Sequence, residues 1–313
     1  MLLAINGQPL QAQDLIEDPG AIEDDAHYAQ FLQRQTALHQ ALRQPRVVLT
    51  WQSASGQTSQ RAQSVQSTRP WASFPFVFWL QCAIGWLCML IGGWVWVVRP
   101  KDWVVRLFSL SGLCVLMFSV SAACYSSRGI ALSGEDFSRL AFLNRFGATA
   151  YGFAGIALFL RYPPPIASLR SLLGLLAAQL ALHGAIYGGA LPQFTSQIST
   201  GIQMLIMLLL MGWQAWRCRR LPVERAALMW LGLSMALGAG GFIALQVLPS
   251  LLGYASGASQ GWSFLFFLLP YIGIALGLTR YRLFDVGKWA FRALFLMAGA
   301  ALLLMLDIGF AWL

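Results

Sequence analysis

The distribution of hydrophobic positions changes once along the chain, at about residue 70. Before that point no apolar run exceeds a few residues, and from Trp71 onward almost every stretch is apolar. The apolar part divides into eight stretches of about 18 to 25 residues, the length that a helix needs to cross a hydrocarbon core of about 30 Å. These stretches lie near Phe74–Val98, Leu107–Tyr125, Phe142–Leu160, Ser171–Leu191, Ile198–Trp216, Ala226–Leu248, Trp262–Thr279 and Phe291–Leu313.

Helices are the expected structure of these stretches. Lipid offers no hydrogen-bond partner to backbone N–H and C=O groups, and a helix pairs those groups within one segment. The stretches also lack the alternation of apolar and polar residues that is typical of outer-membrane strands. The pattern therefore predicts an all-α polytopic membrane domain of about eight transmembrane helices over residues 71–313.

The first 70 residues have the composition of a water-soluble module. They hold five arginines and no lysine against six acidic residues, a net charge of −1, and they are rich in Gln and Ser. Polar residues, mainly Ser and Gln, dominate the end of this part, as in a linker. We expect a small folded domain over residues 1–52 and a polar linker over residues 53–70.

Composition supports the membrane interpretation. Of the 313 residues, 58% are hydrophobic and 11% are charged, whereas a soluble protein carries about 25% charged residues. The five cysteines lie within or beside apolar stretches and form no Cys-x-x-Cys pair. The sequence thus predicts no disulfide framework, no metal site and no cofactor.

The basic residues predict the orientation in the membrane. The first, third, fifth and seventh connections, counted with the adjoining ends of the apolar stretches, contain 13 Lys and Arg, and the alternate connections counted in the same way contain three. Basic residues concentrate on the cytoplasmic side of a membrane, so residues 1–70 are predicted to be extracytoplasmic. The net charge of +9 is then a topology signal spread over short loops, and we expect no nucleic-acid partner.

The N-terminal segment resembles part of a PDZ domain. Residues Leu2–Leu10 read as a hydrophobic strand, an Asn-Gly turn and the start of another strand. Residues Val47–Trp51, followed by Ser55 and Gly56, resemble the closing hairpin of that domain, with a helical pattern about Ala26–Leu42 between them. The opening strands of such a domain would precede Met1, so the expectation is a partial PDZ-like domain and an internal Met1.

A second resemblance lies at the seventh connection. Residues Arg280–Val286, which read Arg-Tyr-Arg-Leu-Phe-Asp-Val, resemble a segment of ComP-like bacterial sensor histidine kinases that have a polytopic membrane input region. Pro222–Arg225 and Arg161–Pro163 are similar to two further turns of that group. The resemblance implies a bacterial inner-membrane protein and a homodimer. It also implies that the protein signals to a response regulator, and does so only through kinase domains that this sequence does not contain.

Several residues are candidates for function. The resemblance implies signal transmission by the segment at the seventh connection, although arginines at a cytoplasmic helix end also serve topology alone. Asp307 and His183 are ionisable groups inside apolar stretches, and such groups are functional candidates. Asn144 and Arg145 could bind an anionic or peptide signal, or could simply reach the interface. The transmission candidates are Arg280, Tyr281, Arg282, Leu283, Phe284 and Asp285.

Two interpretations of the whole chain remain open at this stage. The first is the membrane signal-input region of a two-component sensor kinase, with the lipid bilayer as partner and a peptide or small molecule as signal. The second is a multi-pass transporter or permease-like binding protein. Intramembrane proteases are excluded, because no His-Glu-x-x-His sequence is present and Gly232-Leu233-Ser234 continues with Met235.

Overall fold

A small α+β module precedes a bundle of long helices in the computed structural model of the chain. Among the residues that the structure describes, helices account for most of those after Phe76, and every β-strand lies before Val65. The structure describes residues 2–16, 22, 24–66, 68–127, 132–252, 254 and 259–273.

The module is a four-stranded antiparallel sheet with one helix. Its strands run in the order β2-β1-β3-β4, and the Asn-Gly turn between β1 and β2 has positive φ at both residues, 49° at Asn6 and 77° at Gly7. Such a turn matches the twist of a hairpin. The elements are β1 Leu2–Ile5, β2 Gln8–Pro9, α1 Asp25–Leu42, β3 Arg46–Gln52 and β4 Thr58–Ser64.

Helix α1 begins at a cap and covers the sheet. The Asp24 side chain accepts hydrogen bonds from the N–H groups of Ala26 and His27, which satisfies two of the donors at the start of the helix. The buried side chains of Ile5, Ala41 and Val47 form the small core beneath it. These elements agree with the predicted strand, helix and hairpin pattern, but they do not by themselves identify a PDZ domain.

Strand β4 lies inside the segment that was predicted to be a linker. It pairs with β3 over its whole length, from Arg46 opposite Ser64 to Gln52 opposite Thr58. All seven of its residues are exposed. A strand with two exposed faces carries no alternation of apolar and polar residues, so the pattern that normally reveals a strand is missing here.

Six long helices follow the module at the positions of the first six apolar stretches. Three of them start at a side-chain cap, supplied by Asp102, Ser133 and Ser168, and one starts with Pro222 at its first turn. They are α2 Phe76–Val98, α3 Trp103–Ser126, α4 Gly134–Arg161, α5 Leu169–Tyr187, α6 Thr195–Arg217 and α7 Pro222–Phe242.

Four segments of the described chain are long and apolar enough to cross a membrane. They are Phe76–Val98, Trp103–Ser126, Leu169–Tyr187 and Thr195–Arg220. Length and composition thus agree with a membrane protein. The predicted eighth stretch, Phe291–Leu313, lies outside the described residues.

The residues that the structure describes after α7, up to residue 273, are mostly helical but irregular. A π-helical turn over Ile243–Val247 leads into α8, Leu248–Leu251. Helix α9, Gln260–Ser263, continues into a 3₁₀ turn over Phe264–Leu268. The segment 260–273 packs among α2, α3 and α7, with the hydroxyls of Tyr271 and Ser111 2.9 Å apart.

Glycines let helices α2 and α3 approach closely. A Cβ atom on Gly112 would lie 2.5 Å from the carbonyl oxygen of Cys88, and one on Gly92 would lie 3.2 Å from the Cα of Ser109. Small residues at such contacts are the usual means of helix association where lipid gives no hydrophobic driving force.

The Gly112→Ala substitution is therefore expected to destabilise the bundle by about 1 to 3 kcal/mol, because its methyl group meets backbone atoms of α2. The measurement is thermal unfolding of the purified protein in nanodiscs. Gly93→Ala is the matched control, since nothing lies within 4 Å of its added Cβ. Equal unfolding temperatures for the two variants would contradict this account of the α2–α3 contact.

Candidate functional site

The module docks on the first turn of helix α4. The ring of Phe31 in α1 meets the ring of Phe137 edge-on, with 5.0 Å between their centroids. The hydroxyl of Thr36 accepts a hydrogen bond from the N–H of Gly134 at 3.0 Å. A Cβ atom on Gly134 would collide with the Leu32 carbonyl oxygen, so only glycine allows the two backbones to approach this closely.

Arg145 lies where the module, α4 and the α5–α6 connection meet. Its Nη1 donates to Oε1 of Gln193 at 2.7 Å, and its guanidinium carbon lies 5.1 Å from the centroid of the Tyr28 ring. The backbone N–H of Gln193 donates to Oδ1 of Asp25 at 3.0 Å. Two residues of the first turn of α1 thus contact the same junction from the module side.

The end of helix α5 positions Gln193. Gly189 adopts a φ of +78°, the left-handed conformation that commonly terminates a helix at glycine. The N–H groups of Ala190 and Leu191 then return to the carbonyl oxygen of Ala185 at 2.8 and 3.1 Å. This tight reversal directs the connection back over the end of the bundle, toward Arg145.

His183 is the centre of a polar network between α4 and α5. The residue is only 6% exposed, its Nε2 lies 2.8 Å from Oγ1 of Thr149, and its Nδ1 lies 3.0 Å from the carbonyl oxygen of Gln179. Nδ1 also lies 3.2 Å from the amide nitrogen of Gln179. Both ring nitrogens therefore have a partner in either tautomer of the neutral ring.

The network continues into helix α6. The side-chain amides of Gln179 and Gln203 are joined by a short hydrogen bond, and Nε2 of Gln203 also donates to the hydroxyl of Ser199 at 3.2 Å. A Cβ atom on Gly152 of α4 would collide with the Gln203 side chain. The glycine thus makes room for the glutamine, and the polar side chains link three helices.

Polar contacts hold helix α5 more than apolar burial does. Among its residues only Leu172, His183 and Ile186 are buried. Several of its leucines, Leu173 and Leu180 among them, are exposed on the surface of the bundle. Since a helix in lipid gains little from apolar contact with its neighbours, the hydrogen bonds of His183 and Gln179 are the specific attachment of α5.

The structure places the side chains of Arg145, His183 and Asn144 in three different sets of contacts. The Arg145 side chain contacts Gln193 and Tyr28, whereas the His183 ring lies 2.8 Å from the Thr149 hydroxyl. The Asn144 side chain instead donates to the carbonyl oxygen of Phe118 in α3 at 2.8 Å. Arg280, Tyr281, Arg282, Leu283, Phe284, Asp285 and Asp307 lie outside the described residues.

Some residues of the site were not singled out in the sequence. Thr149, Gln179 and Gln203 are neutral polar residues in apolar stretches. The two glutamines are the sequence pattern that could have indicated a hydrogen-bond network within the membrane. Tyr28 and Gln193 lie in polar segments, where nothing distinguishes them from their neighbours. Within the described ranges, no group of three or more His, Cys, Asp or Glu side chains could hold a metal ion.

Comparisons with known proteins give no relative. No protein-family model, no curated protein and no solved structure matches the chain. The resemblance to ComP-like sensor kinases therefore stays a prediction.

The Thr149→Val substitution tests the network. It keeps the shape of the side chain but removes a hydrogen-bond partner of the His183 ring. We expect a loss of about 1 kcal/mol of unfolding free energy, measured by thermal or denaturant unfolding in nanodiscs. Thr200→Val is the control, because the Thr200 hydroxyl bonds to Ser196 within its own helix. A control variant that loses as much stability would show that the contact with His183 contributes nothing specific.

Proposed function

We propose that this chain is the membrane signal-input region of a bacterial two-component histidine kinase. In this proposal the module is a partial PDZ-like domain outside the cytoplasm, followed by about eight transmembrane helices in the inner membrane. The signal is a peptide or small molecule. The kinase functions as a homodimer and reaches its response regulator through output domains beyond this sequence. The resemblance of Arg280–Val286 to that group of kinases motivates the assignment.

The observation that carries the proposal is the junction at Arg145. A receptor needs a physical connection between the part that meets the signal and the part that crosses the membrane. Tyr28 and Asp25 of the module both contact this junction, through Arg145 and Gln193. A change in the module therefore acts directly on α4 and on the end of α5.

Helix α4 offers a continuous route to the opposite end of the bundle. It runs without interruption from Gly134 to Arg161, and its last turn is joined to α6. Nε2 of Gln214 donates to the carbonyl oxygens of Phe159 and Pro164 at 2.8 and 3.1 Å. A shift of α4 at the module end is thus coupled to the turn that begins the α4–α5 connection.

A transporter is the second candidate, and one observation favours it. The helices after residue 242 are interrupted by the π-helical turn and by the 3₁₀ turn. Gln246 in the first of these donates to the Ser263 hydroxyl at 2.7 Å. Interrupted helices with polar groups are typical of transporter binding sites.

The topology of the proposal predicts the outcome of reporter fusions. Alkaline phosphatase, which is active only outside the cytoplasm, should be active when inserted after Ser64 and inactive when inserted after Arg219. Green fluorescent protein should give the reverse pattern. The reason is that Arg217 ends α6 and Arg219 and Arg220 follow it, at the end of the bundle away from the module. The opposite pattern would overturn the assignment of the receiving side.

The kinase assignment predicts that the uninterrupted reading frame containing this sequence yields a protein that phosphorylates itself on histidine with ATP. Gly134→Leu, which forces α1 away from α4, should change that rate by about fivefold or more, the lower range of allosteric coupling. Gly93→Leu is the control, because space is open around that position. If the protein transports solute in proteoliposomes and does not phosphorylate itself, the transporter replaces the kinase as the proposed function.

A further inference from the structure

We propose that Arg145 and its aromatic neighbours form a binding site for an amphiphilic anion, a single carboxylate or phosphate carried on an apolar chain. The site lies at the seam between the module and helices α4 and α5. The inference stands on the local chemistry and does not require the chain to be a kinase.

The charge of Arg145 has no anionic partner among the described residues. Its Nη1 donates to the neutral side chain of Gln193, its guanidinium faces the Tyr28 ring, and it lies beside the Tyr187 hydroxyl. Arg34 and Arg139, by contrast, pair with Asp14 and Glu135. A guanidinium has five N–H donors and matches a carboxylate or phosphate with two parallel hydrogen bonds.

A second donor lies beside the guanidinium. The hydroxyl oxygen of Tyr187 is buried and lies close enough to the Arg145 guanidinium to accept from it. The hydroxyl proton has no acceptor among the residues that the structure describes. A buried donor without an acceptor is costly, and an anion held by Arg145 would accept from this one.

Aromatic rings next to these donors provide an apolar surface. The Phe142 ring lies 4.4 Å from the Tyr187 ring, centroid to centroid, and 5.9 Å from the Phe146 ring, on which it stacks. Phe142 is 38% exposed, so this surface is open to an incoming chain. A cation beside aromatic rings, one of which is exposed, favours a molecule with one charged end and one apolar end.

Asp25 is expected to lower the affinity of the site for an anion. Its carboxylate accepts from the N–H of Gln193, while the Gln193 side chain accepts from Arg145. The acidic group therefore lies near the cation without forming an ion pair with it. It repels an incoming anion, and its neutralisation should strengthen binding.

The anionic group could be the headgroup of a membrane phospholipid or the end of a free amphiphile. The two sources share the same chemistry at Arg145. They differ in whether binding requires an anionic lipid in the surrounding bilayer.

Equilibrium binding of radiolabelled laurate tests the proposal. The protein is held in nanodiscs of phosphatidylcholine, and binding to empty nanodiscs is subtracted. We expect saturable binding that Arg145→Gln weakens by about tenfold or more, since a charge-assisted bidentate contact is lost. Arg139→Gln should leave affinity unchanged, Tyr187→Phe should weaken it severalfold, and Asp25→Asn should strengthen it. Unlabelled dodecanol, which has the same chain without the charge, should not compete.

The nanodisc composition separates the two sources. If wild-type protein in phosphatidylglycerol nanodiscs no longer binds laurate and Arg145→Gln nanodiscs retain less phosphatidylglycerol, the lipid headgroup is the occupant. If laurate binds equally in both lipids, the occupant is a free amphiphile. The proposal is overturned if Arg145→Gln binds laurate as the wild type does while unfolding at the same temperature, or if dodecanol competes fully. Tyr187→Phe retains the contacts of Arg145 with Gln193 and Tyr28, so a fold defect in Arg145→Gln would not conceal the result.

Discussion

The close contact between α1 and the first turn of α4 is the constraint on which the junction depends. Gly134 allows the two backbones to meet, and the Thr36 hydroxyl and the Phe31–Phe137 ring pair fix the orientation of α1. Asp25 and Tyr28 lie on the first turns of the same helix, so this contact also determines where they reach the bundle. A side chain at Gly134 would move them away from Arg145 and Gln193 together.

Two different forces hold the helices of the bundle. Helices α2 and α3 are joined through glycines at Gly92 and Gly112, where backbones nearly touch. Helix α5 has no such contact with α4, and its specific attachment is the hydrogen bonding of His183 and Gln179. In a bilayer both forces are effective, since lipid competes with neither backbone packing nor internal hydrogen bonds. Hydrogen bonds can exchange partners without opening a void, so α5 is the helix best suited to move.

The helices could be predicted from the sequence because each needs only length and apolarity. Strand β4 could not, because its two exposed faces leave no alternation. Arg145 and His183 were identified singly as a charge and an ionisable ring in apolar surroundings. The contact of His183 with Thr149 depends on the antiparallel register of α4 and α5. Side-chain patterns along one helix do not contain that register.

The junction joins a firmly held helix, α4, to a loosely held one, α5. This difference determines which of the two helices moves when the contacts of Arg145 change. Helix α4 is fixed along its length by glycine contacts with its neighbours, at Gly147 with α3 and at Gly152 with α6. Helix α5 is held mainly by its polar side chains. At the far end of α4, Arg161 donates at 3.0 Å to the carbonyl oxygen of Ala167, in the connection that leads to α5. A disturbance at Arg145 therefore costs less when α5 adjusts than when α4 does. The adjustment then reaches the connection between the two helices, at the end of the bundle opposite the module.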